Sequence, residues 1–216
     1  PYNSLILDAH GWKNGVPDIP QLYPVENITA YVDRKLFIHN LGHAATAYLG
    51  YRRDPSQRYL YEQLENRQLR EQVRGVMRRS AEALAREYPE SFTTAELEEH
   101  IDDLIYRFRN RALGDTVHRV GRDLRRKLSA EERVVGALDL VLRHRLDPSP
   151  LVAVYTDALE FRAPDEGGEL YPGDREFLKI LTDRGVDYVV REISGVAPDS
   201  PLYTALTTSG GAAGSS

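Results

Sequence analysis

Residues 31–51 of this 216-residue chain read YVDRKLFIHNLGHAATAYLGY and contain its most concentrated set of reactive side chains. A lysine, an asparagine and two histidines lie here among apolar and small residues. The apolar positions are spread too widely around a helical wheel to form one narrow stripe. This pattern predicts a helix that is buried on most sides and belongs to the core of the fold.

The polar side chains of this stretch share one side of the predicted helix. At about 100° per residue, Lys35, His39 and His43 step round by roughly 40° each. Asn40 lies about 60° beyond His43. Polar groups in an apolar setting need partners, and a cavity that holds a ligand is one way to supply them. The alternative is a structural role, in which these side chains reach solvent or cap neighbouring elements.

The spacing of Lys35, Asn40 and His43, followed by YLG at residues 48–50, resembles the signature of the polyol-specific long-chain dehydrogenases, the mannitol dehydrogenase family. The lead-in RKL and the run NLGHA are most similar to the mannitol-1-phosphate 5-dehydrogenase branch of that family. The likeness extends from the start of the chain to about residue 196. It implies a mainly α-helical C-terminal substrate domain of a two-domain dehydrogenase, with at most a few short strands.

The resemblance also implies a role for each residue of the signature. Lys35 would be the general base, Asn40 would polarise the carbonyl or alkoxide, and His43 would position the substrate, without a metal. These residue types suit hydride transfer from a secondary alcohol. Burial lowers the pKa of a lysine toward neutrality, so that it can take up the hydroxyl proton. An amide N–H can stabilise the developing alkoxide.

The resemblance places the NAD-binding domain before this chain. No GxGxxG or P-loop pattern occurs in the sequence, and the chain opens at Pro1 without a methionine. We therefore expect a fragment that lacks its nucleotide-binding domain and is inactive alone. Within it, residues 1–26 are expected to form a loop or edge segment, residues 27–206 the helical domain, and residues 207–216 a flexible tail.

Residues 107–127 form a segment rich in arginine. On a continuous helix its charged side chains would lie opposite an apolar stripe, as on a solvated basic face. The family resemblance favours a different interpretation, in which Arg119 reaches the substrate and Arg122 lies one turn away. For a sugar phosphate, both guanidinium groups would bind the phosphate. The family normally carries proline at the position of Leu124, which affects the bend that directs Arg122 inward.

A metal site is the competing interpretation of the central stretch. His39 and His43 have the i, i+4 spacing of zinc ligands on one helix face. Asn40 stands where the HExxH motif has its glutamate, and no third ligand is obvious. A positive charge on Lys35 would also oppose a cation. We expect no metal.

Local signals predict where the other elements begin and end. Asn27 is a plausible cap for the central helix, and residues 59–88 read as one or two amphipathic helices. Thr93 or Thr94, followed by Glu96, is predicted to start one helix, and Ser129 with Glu132 has the spacing of a capping box for another. Short strands are expected near residues 4–8 and 186–190. Glycines and prolines between them predict a loop from Gly11 to Pro24.

Composition limits the possible partners. With 41% hydrophobic residues the chain can bury a core, and its net charge of −5 does not favour nucleic acid or anionic membranes. The absence of cysteine excludes disulfides and a cysteine nucleophile. No membrane-length apolar run or signal sequence is visible, so we expect a cytoplasmic protein.

The function expected from the sequence is the substrate-binding half of an NAD-dependent sugar-phosphate oxidoreductase. Its reaction would interconvert mannitol 1-phosphate and fructose 6-phosphate. A dehydrogenase of an unphosphorylated polyol or a uronate is the alternative within this class. A helical binding or scaffold module, with the basic segment as its docking face, is the alternative outside it.

Overall fold

The computed structural model describes residues 5–13 and 17–210, and this part of the chain is mainly α-helical, as predicted. Helices α1 to α11 are, in chain order, Ile28–Arg34, Leu41–Arg53, Leu60–Gln63, Arg67–Glu87, Thr94–Phe108, Val117–Gly121, Leu124–Lys127, Val135–Arg143, Ser149–Leu159, Pro172–Tyr188 and Pro201–Gly210. Two π-helical segments, Lys35–Asn40 and Val189–Ile193, continue α1 and α10. Two 3-10 turns span Ala9–Gly11 and Arg111–Leu113.

The central stretch forms one helical run from Ile28 to Arg53, which joins α1, the first π-helical segment and α2. Asn27 caps its start, because the side-chain oxygen accepts a hydrogen bond of 3.2 Å from the backbone N–H of Ala30. Most of α2 is buried, and this helix packs against α4, α6 and α9. The predicted core helix is therefore confirmed.

Small residues let α2 approach its neighbours closely. A Cβ atom at Gly42 would lie 2.5 Å from the sulfur of Met77 on α4. The absence of a side chain at Gly42 therefore serves helix packing. Apolar residues of both helices, among them Leu41, Ala45 and Val73, are fully buried in the resulting core.

The long helices α4 and α5 begin where the sequence indicates. Asn66 caps α4 by accepting a hydrogen bond from the Leu69 N–H. Of the two threonines predicted to start α5, Thr93 is the cap, and it forms a capping box with Glu96 in which each side chain accepts the backbone N–H of the other residue. Both helices are amphipathic and pack against each other.

Two short parallel strands precede the helices. Strand β1, Leu5–Asp8, pairs with β2, Leu22–Val25, in the register Leu5 to Leu22 and Asp8 to Val25. The first strand agrees with the prediction over its described residues, while Ser4 lies outside them. Strand β2 lies within residues that were predicted to form a loop, so that prediction is corrected. It includes Pro24, which is tolerated because each strand of a two-stranded sheet is an edge strand and proline lacks the N–H that a central strand would need.

Two predictions for the C-terminal half are wrong. Residues 186–190 are helical, not extended, because α10 continues into the π-helical segment Val189–Ile193. Ser129 does not cap a helix, since its hydroxyl donates to the Arg126 carbonyl, and α8 begins only at Val135. Glu132 instead pairs with Arg126 and Arg133.

The last helix reaches into the segment that was predicted as a tail. Helix α11 continues to Gly210 and so includes the first residues of the segment predicted as a tail. Residues 211–216 of that segment lie outside the described ranges. Of the helices described, none is both long and apolar enough to cross a membrane.

Candidate active site

Lys35 and Asn40 are the first and last residues of the π-helical segment, not members of a regular α-helix as the wheel assumed. The backbone N–H of Leu41 bonds to the carbonyl of Leu36, five residues earlier, which is the π-helical pattern. In such a turn, residues five apart follow one another on the same side. Lys35 and Asn40 are therefore brought onto one side, and single π-helical turns inside α-helices occur frequently at functional sites.

The predicted catalytic side chains differ in exposure. Lys35 is exposed, Asn40 is half-buried, and the His43 side chain is only 22% exposed. The burial that would favour a lysine base is thus not supplied by the described residues. Lys35 nevertheless lies close enough to His39 for its charge to act on that imidazole.

His43 is held by a carboxylate and by an aromatic ring. Its Nε2 lies 3.0 Å from Oδ2 of Asp115, and its ring stacks on Phe108 with centroids 4.8 Å apart. The other carboxylate oxygen of Asp115 forms an ion pair with Arg119. Burial lowers the pKa of His43 to about 4, with further lowering by the charges of Arg119, Arg133 and Lys127. The imidazole is therefore neutral at pH 7.

His39 belongs to the same aromatic cluster. Its ring contacts His43 and Phe108, with centroid distances of 6.2 and 5.7 Å. Burial lowers the pKa of His39 to about 4, and the charge of Lys35 acts in the same direction. Among the described residues there is no group of three or more His, Cys, Asp or Glu side chains arranged to hold a metal ion.

The basic segment is bent and does not form the continuous helix of the solvated-face alternative. Helix α6 ends at Gly121, and Asp123 has the left-handed conformation, with φ 72° and ψ 50°, before α7 begins. Asp174 fixes this bend by accepting hydrogen bonds from the backbone N–H groups of Asp123 and Leu124, at 3.2 and 2.8 Å. The bend therefore forms although residue 124 is leucine and not proline. The Leu124 N–H, which a proline would lack, donates one of the two hydrogen bonds to Asp174.

Lys127 is buried inside this bend and does not lie on a solvated basic face. Its ammonium donates a hydrogen bond of 2.8 Å to the carbonyl of Val120 and a second to that of Arg122. Burial lowers the pKa of Lys127 to about 8, and the charges of Arg133 and Arg126 contribute. A lysine therefore binds carbonyl groups near the end of α6.

The bend places Arg119 and Arg122 in one cleft of about 420 Å³. Arg58 and His118 also line this cleft. The Arg122 guanidinium lies over the ring of Tyr171, 5.4 Å from its centroid. The cleft contains acidic residues as well, and one of them, Glu166, pairs with Arg58.

The structure links the two predicted groups through a residue to which the sequence assigned no role. Asp115 contacts both His43 and Arg119, while Lys35 and Asn40 lie on the turn that precedes His43. The i, i+4 spacing of Asp115 and Arg119 indicates an ion pair. No local signal shows that the same carboxylate meets a histidine 72 residues away in the chain.

Comparisons with known proteins agree with this architecture. The family model of the mannitol dehydrogenase C-terminal domain matches residues 27–196. A solved structure of Pseudomonas fluorescens mannitol 2-dehydrogenase, a ternary complex with NAD and D-mannitol, is similar in fold with a TM-score of 0.62 and 22% sequence identity. The match covers 92% of this chain and 42% of that chain. Because the match to the family model spans most of the length of this chain, the chain belongs to the mannitol dehydrogenase C-terminal domain family.

Proposed function

We propose that this chain is the substrate-binding and catalytic half of an NAD-dependent oxidoreductase that interconverts mannitol 1-phosphate and fructose 6-phosphate. The observation that carries the proposal is the π-helical turn, which brings Lys35 and Asn40 to one side just before His43. Family membership and the similarity to a mannitol 2-dehydrogenase bound to NAD and D-mannitol support a polyol as the substrate class.

Each residue has one task in the proposed reaction. During oxidation Lys35 accepts the hydroxyl proton of the substrate, and during reduction it returns that proton. Asn40 donates its side-chain N–H to the reacting oxygen as negative charge develops there. His43 binds a second hydroxyl of the substrate and so orients the reacting carbon.

NAD supplies the hydride acceptor when it is bound. The described residues contain no glycine-rich strand-turn-helix of the kind that holds a pyrophosphate. We therefore propose that a preceding nucleotide-binding domain holds most of the cofactor. The exposed position of Lys35 agrees with this arrangement, because a second domain closing over the π-helical turn would remove water from its ammonium group.

Two arginines support a phosphorylated substrate. Arg119 and Arg122 both line one cleft, and Arg119 also pairs with Asp115, the hydrogen-bond partner of His43. A guanidinium group binds phosphate through two parallel hydrogen bonds, and Arg122 stacks on a tyrosine without an ion-pair partner among the described residues. An unphosphorylated polyol is the second candidate, because D-mannitol occupies the complex of the similar structure.

The test is an activity assay of the longer protein with NADH and fructose 6-phosphate, compared with fructose. We expect Lys35→Ala to lower kcat by about 10²–10⁴-fold, the range for loss of a general acid or base. Lys179→Ala, which removes an exposed lysine from α10, is the matched control and should leave kcat unchanged. Rates within a few-fold of wild type for Lys35→Ala would refute the base assignment. A higher kcat/KM for fructose would favour the unphosphorylated substrate.

A further inference from the structure

The carboxylate of Asp115 lies between an imidazole and a guanidinium group, and each of its oxygens faces one of them. We propose that Asp115 is a positioning residue that holds His43 in the tautomer with its proton on Nε2. The other ring nitrogen, Nδ1, is then a hydrogen-bond acceptor toward the substrate. Nothing in the sequence signature of Lys35, Asn40 and His43 specifies this tautomer.

The tautomer follows from the donors and acceptors of the three groups. Arg119 can only donate hydrogen bonds, so its ion pair with Oδ1 favours an ionised Asp115. An ionised carboxylate can only accept, and Oδ2 lies 3.0 Å from the His43 Nε2. Nε2 must therefore carry a proton.

The imidazole carries no second proton. His43 is largely buried, and the positive charges of Arg119, Arg133 and Lys127 oppose its protonation, so its pKa is lowered to about 4. The charge of Asp115 is already matched by Arg119, which leaves the imidazole neutral. A neutral ring with its proton on Nε2 has an unprotonated Nδ1.

The ring is also fixed in direction. His43 and Phe108 stack with an interplanar angle of 21°, and Phe108 is buried. Stacking fixes the plane of the imidazole, while the bond to Asp115 fixes its rotation within that plane. The lone pair of Nδ1 therefore points in one defined direction.

A chemical consequence follows, and it rests on the proposed function. A carbonyl oxygen has lone pairs but no proton, so Nδ1 cannot bind the oxygen of a ketone substrate. Nδ1 can, however, accept a hydrogen bond from a hydroxyl group that neighbours the reacting carbon, and this hydroxyl is present in both the alcohol and the ketone form of the substrate. His43 thus recognises a hydroxyl neighbouring the reacting carbon, and the reacting oxygen is left to Asn40 and Lys35.

The tautomer is measurable in this chain without any turnover. In ¹⁵N-labelled protein at neutral pH, long-range ¹H–¹⁵N spectra distinguish a protonated Nε2 from a protonated Nδ1. We expect wild-type His43 to show the Nε2 proton. A proton on Nδ1, or a doubly protonated ring, overturns the proposal.

The Asp115→Asn variant tests the cause. Because Arg119 offers only donors, the amide oxygen of the new side chain should turn toward it. The NH₂ group then faces Nε2, which must become an acceptor, and the proton moves to Nδ1. An unchanged tautomer in a folded variant contradicts the proposal. If the variant does not fold, the wild-type spectrum still decides.

Asp139→Asn is the matched control. Asp139 pairs with Arg143 at the same i, i+4 spacing, 3.1 Å apart, and its pairing involves no histidine. The control should leave the His43 spectrum unchanged.

In the longer protein we expect Asp115→Asn to lower kcat/KM for fructose 6-phosphate by about 10–100-fold, the effect of one mispaired buried hydrogen bond. A shifted tautomer in a protein that turns over no polyol would refute the proposed function and leave the role of Asp115 intact.

Discussion

Lys127 belongs to a basic segment in which lysines and arginines are expected to face solvent, but its own side chain is buried. Its neighbours Arg125 and Arg126 are exposed, whereas its own side chain is only 5% exposed and donates to two carbonyl groups. The carbonyls belong to residues near the end of α6, where the helix leaves such groups without intrahelical partners. A buried ammonium thus stabilises the bend, at the cost of its own dehydration.

This burial predicts a pH dependence of stability. The pKa of Lys127 is about 8 in the folded protein, below its ordinary value of 10.5. The unfolded chain therefore binds the Lys127 proton more tightly than the folded protein does. Below pH 8 this difference lowers the free energy of unfolding by its full amount. It disappears as the pH rises from about 8 to about 10.5.

We expect the Lys127→Met variant to lack this rise in stability. The free energy of unfolding of wild type, relative to the variant, should increase by about 3 kcal/mol between pH 8 and 10.5. Urea unfolding at several pH values measures the difference. Lys179→Met, at an exposed position of α10, is the control and should follow the wild-type profile. Parallel profiles for wild type and Lys127→Met would contradict the role of Lys127.

At the scale of elements, local patterns predicted what local forces determine. The caps at Asn27 and Thr93 and the amphipathic helices α4 and α5 follow from residues a few positions apart. The π-helical turn at Lys35–Asn40 was missed because an apolar segment with the same spacing fits either helix. The family resemblance implies a bend near Leu124, but no local pattern indicates Asp174, which fixes the bend from 51 residues away.

The candidate site shows the same division. The signature indicated Lys35, Asn40 and His43 as a group, and the helical run keeps them together. The contact of Asp115 with His43 depends on how α2 packs against α6, and packing of distant elements is not encoded in spacing. The pairing of β1 with β2 is likewise a contact between separated segments.

Substitution by alanine is expected to have opposite effects on stability at two helical glycines, Gly121 on α6 and Gly75 on α4. A Cβ atom at Gly121 would overlap the buried ring of Phe161, which cannot move aside without disturbing the core. We expect Gly121→Ala to lower the free energy of unfolding by about 1–3 kcal/mol, the usual cost of overpacking. Urea unfolding of the chain measures it.

The control is Gly75 on α4, where a Cβ would meet no described atom within 4 Å. Gly75→Ala should raise stability by about 0.5–1 kcal/mol, because alanine loses less backbone freedom in a helix. Equal effects of the two substitutions would show that α6 does not pack on Phe161 as closely as the structure indicates.

At the scale of the whole molecule, the chain covers 42% of the similar dehydrogenase and includes all residues of the proposed signature. Its parallel strands β1 and β2 form a two-stranded pair, whereas parallel sheets are usually covered on both faces. Leu5 and Tyr23 of this pair are more than half exposed, at 56% and 53%. The strands and the exposed Lys35 are both features that a second domain could cover.

We therefore expect the chain alone to be inactive. Lys35 is exposed in this chain, so the described residues do not supply the water-excluded environment that proton transfer to a lysine base requires. The described residues also contain no glycine-rich strand-turn-helix of the kind that holds the pyrophosphate of NADH. Calorimetric titration of the chain with NADH should show no saturable binding, and NADH oxidation with fructose 6-phosphate should not exceed the rate without protein. Turnover by the chain alone, abolished by Lys35→Ala, would contradict the requirement for a second domain while keeping the role of the lysine.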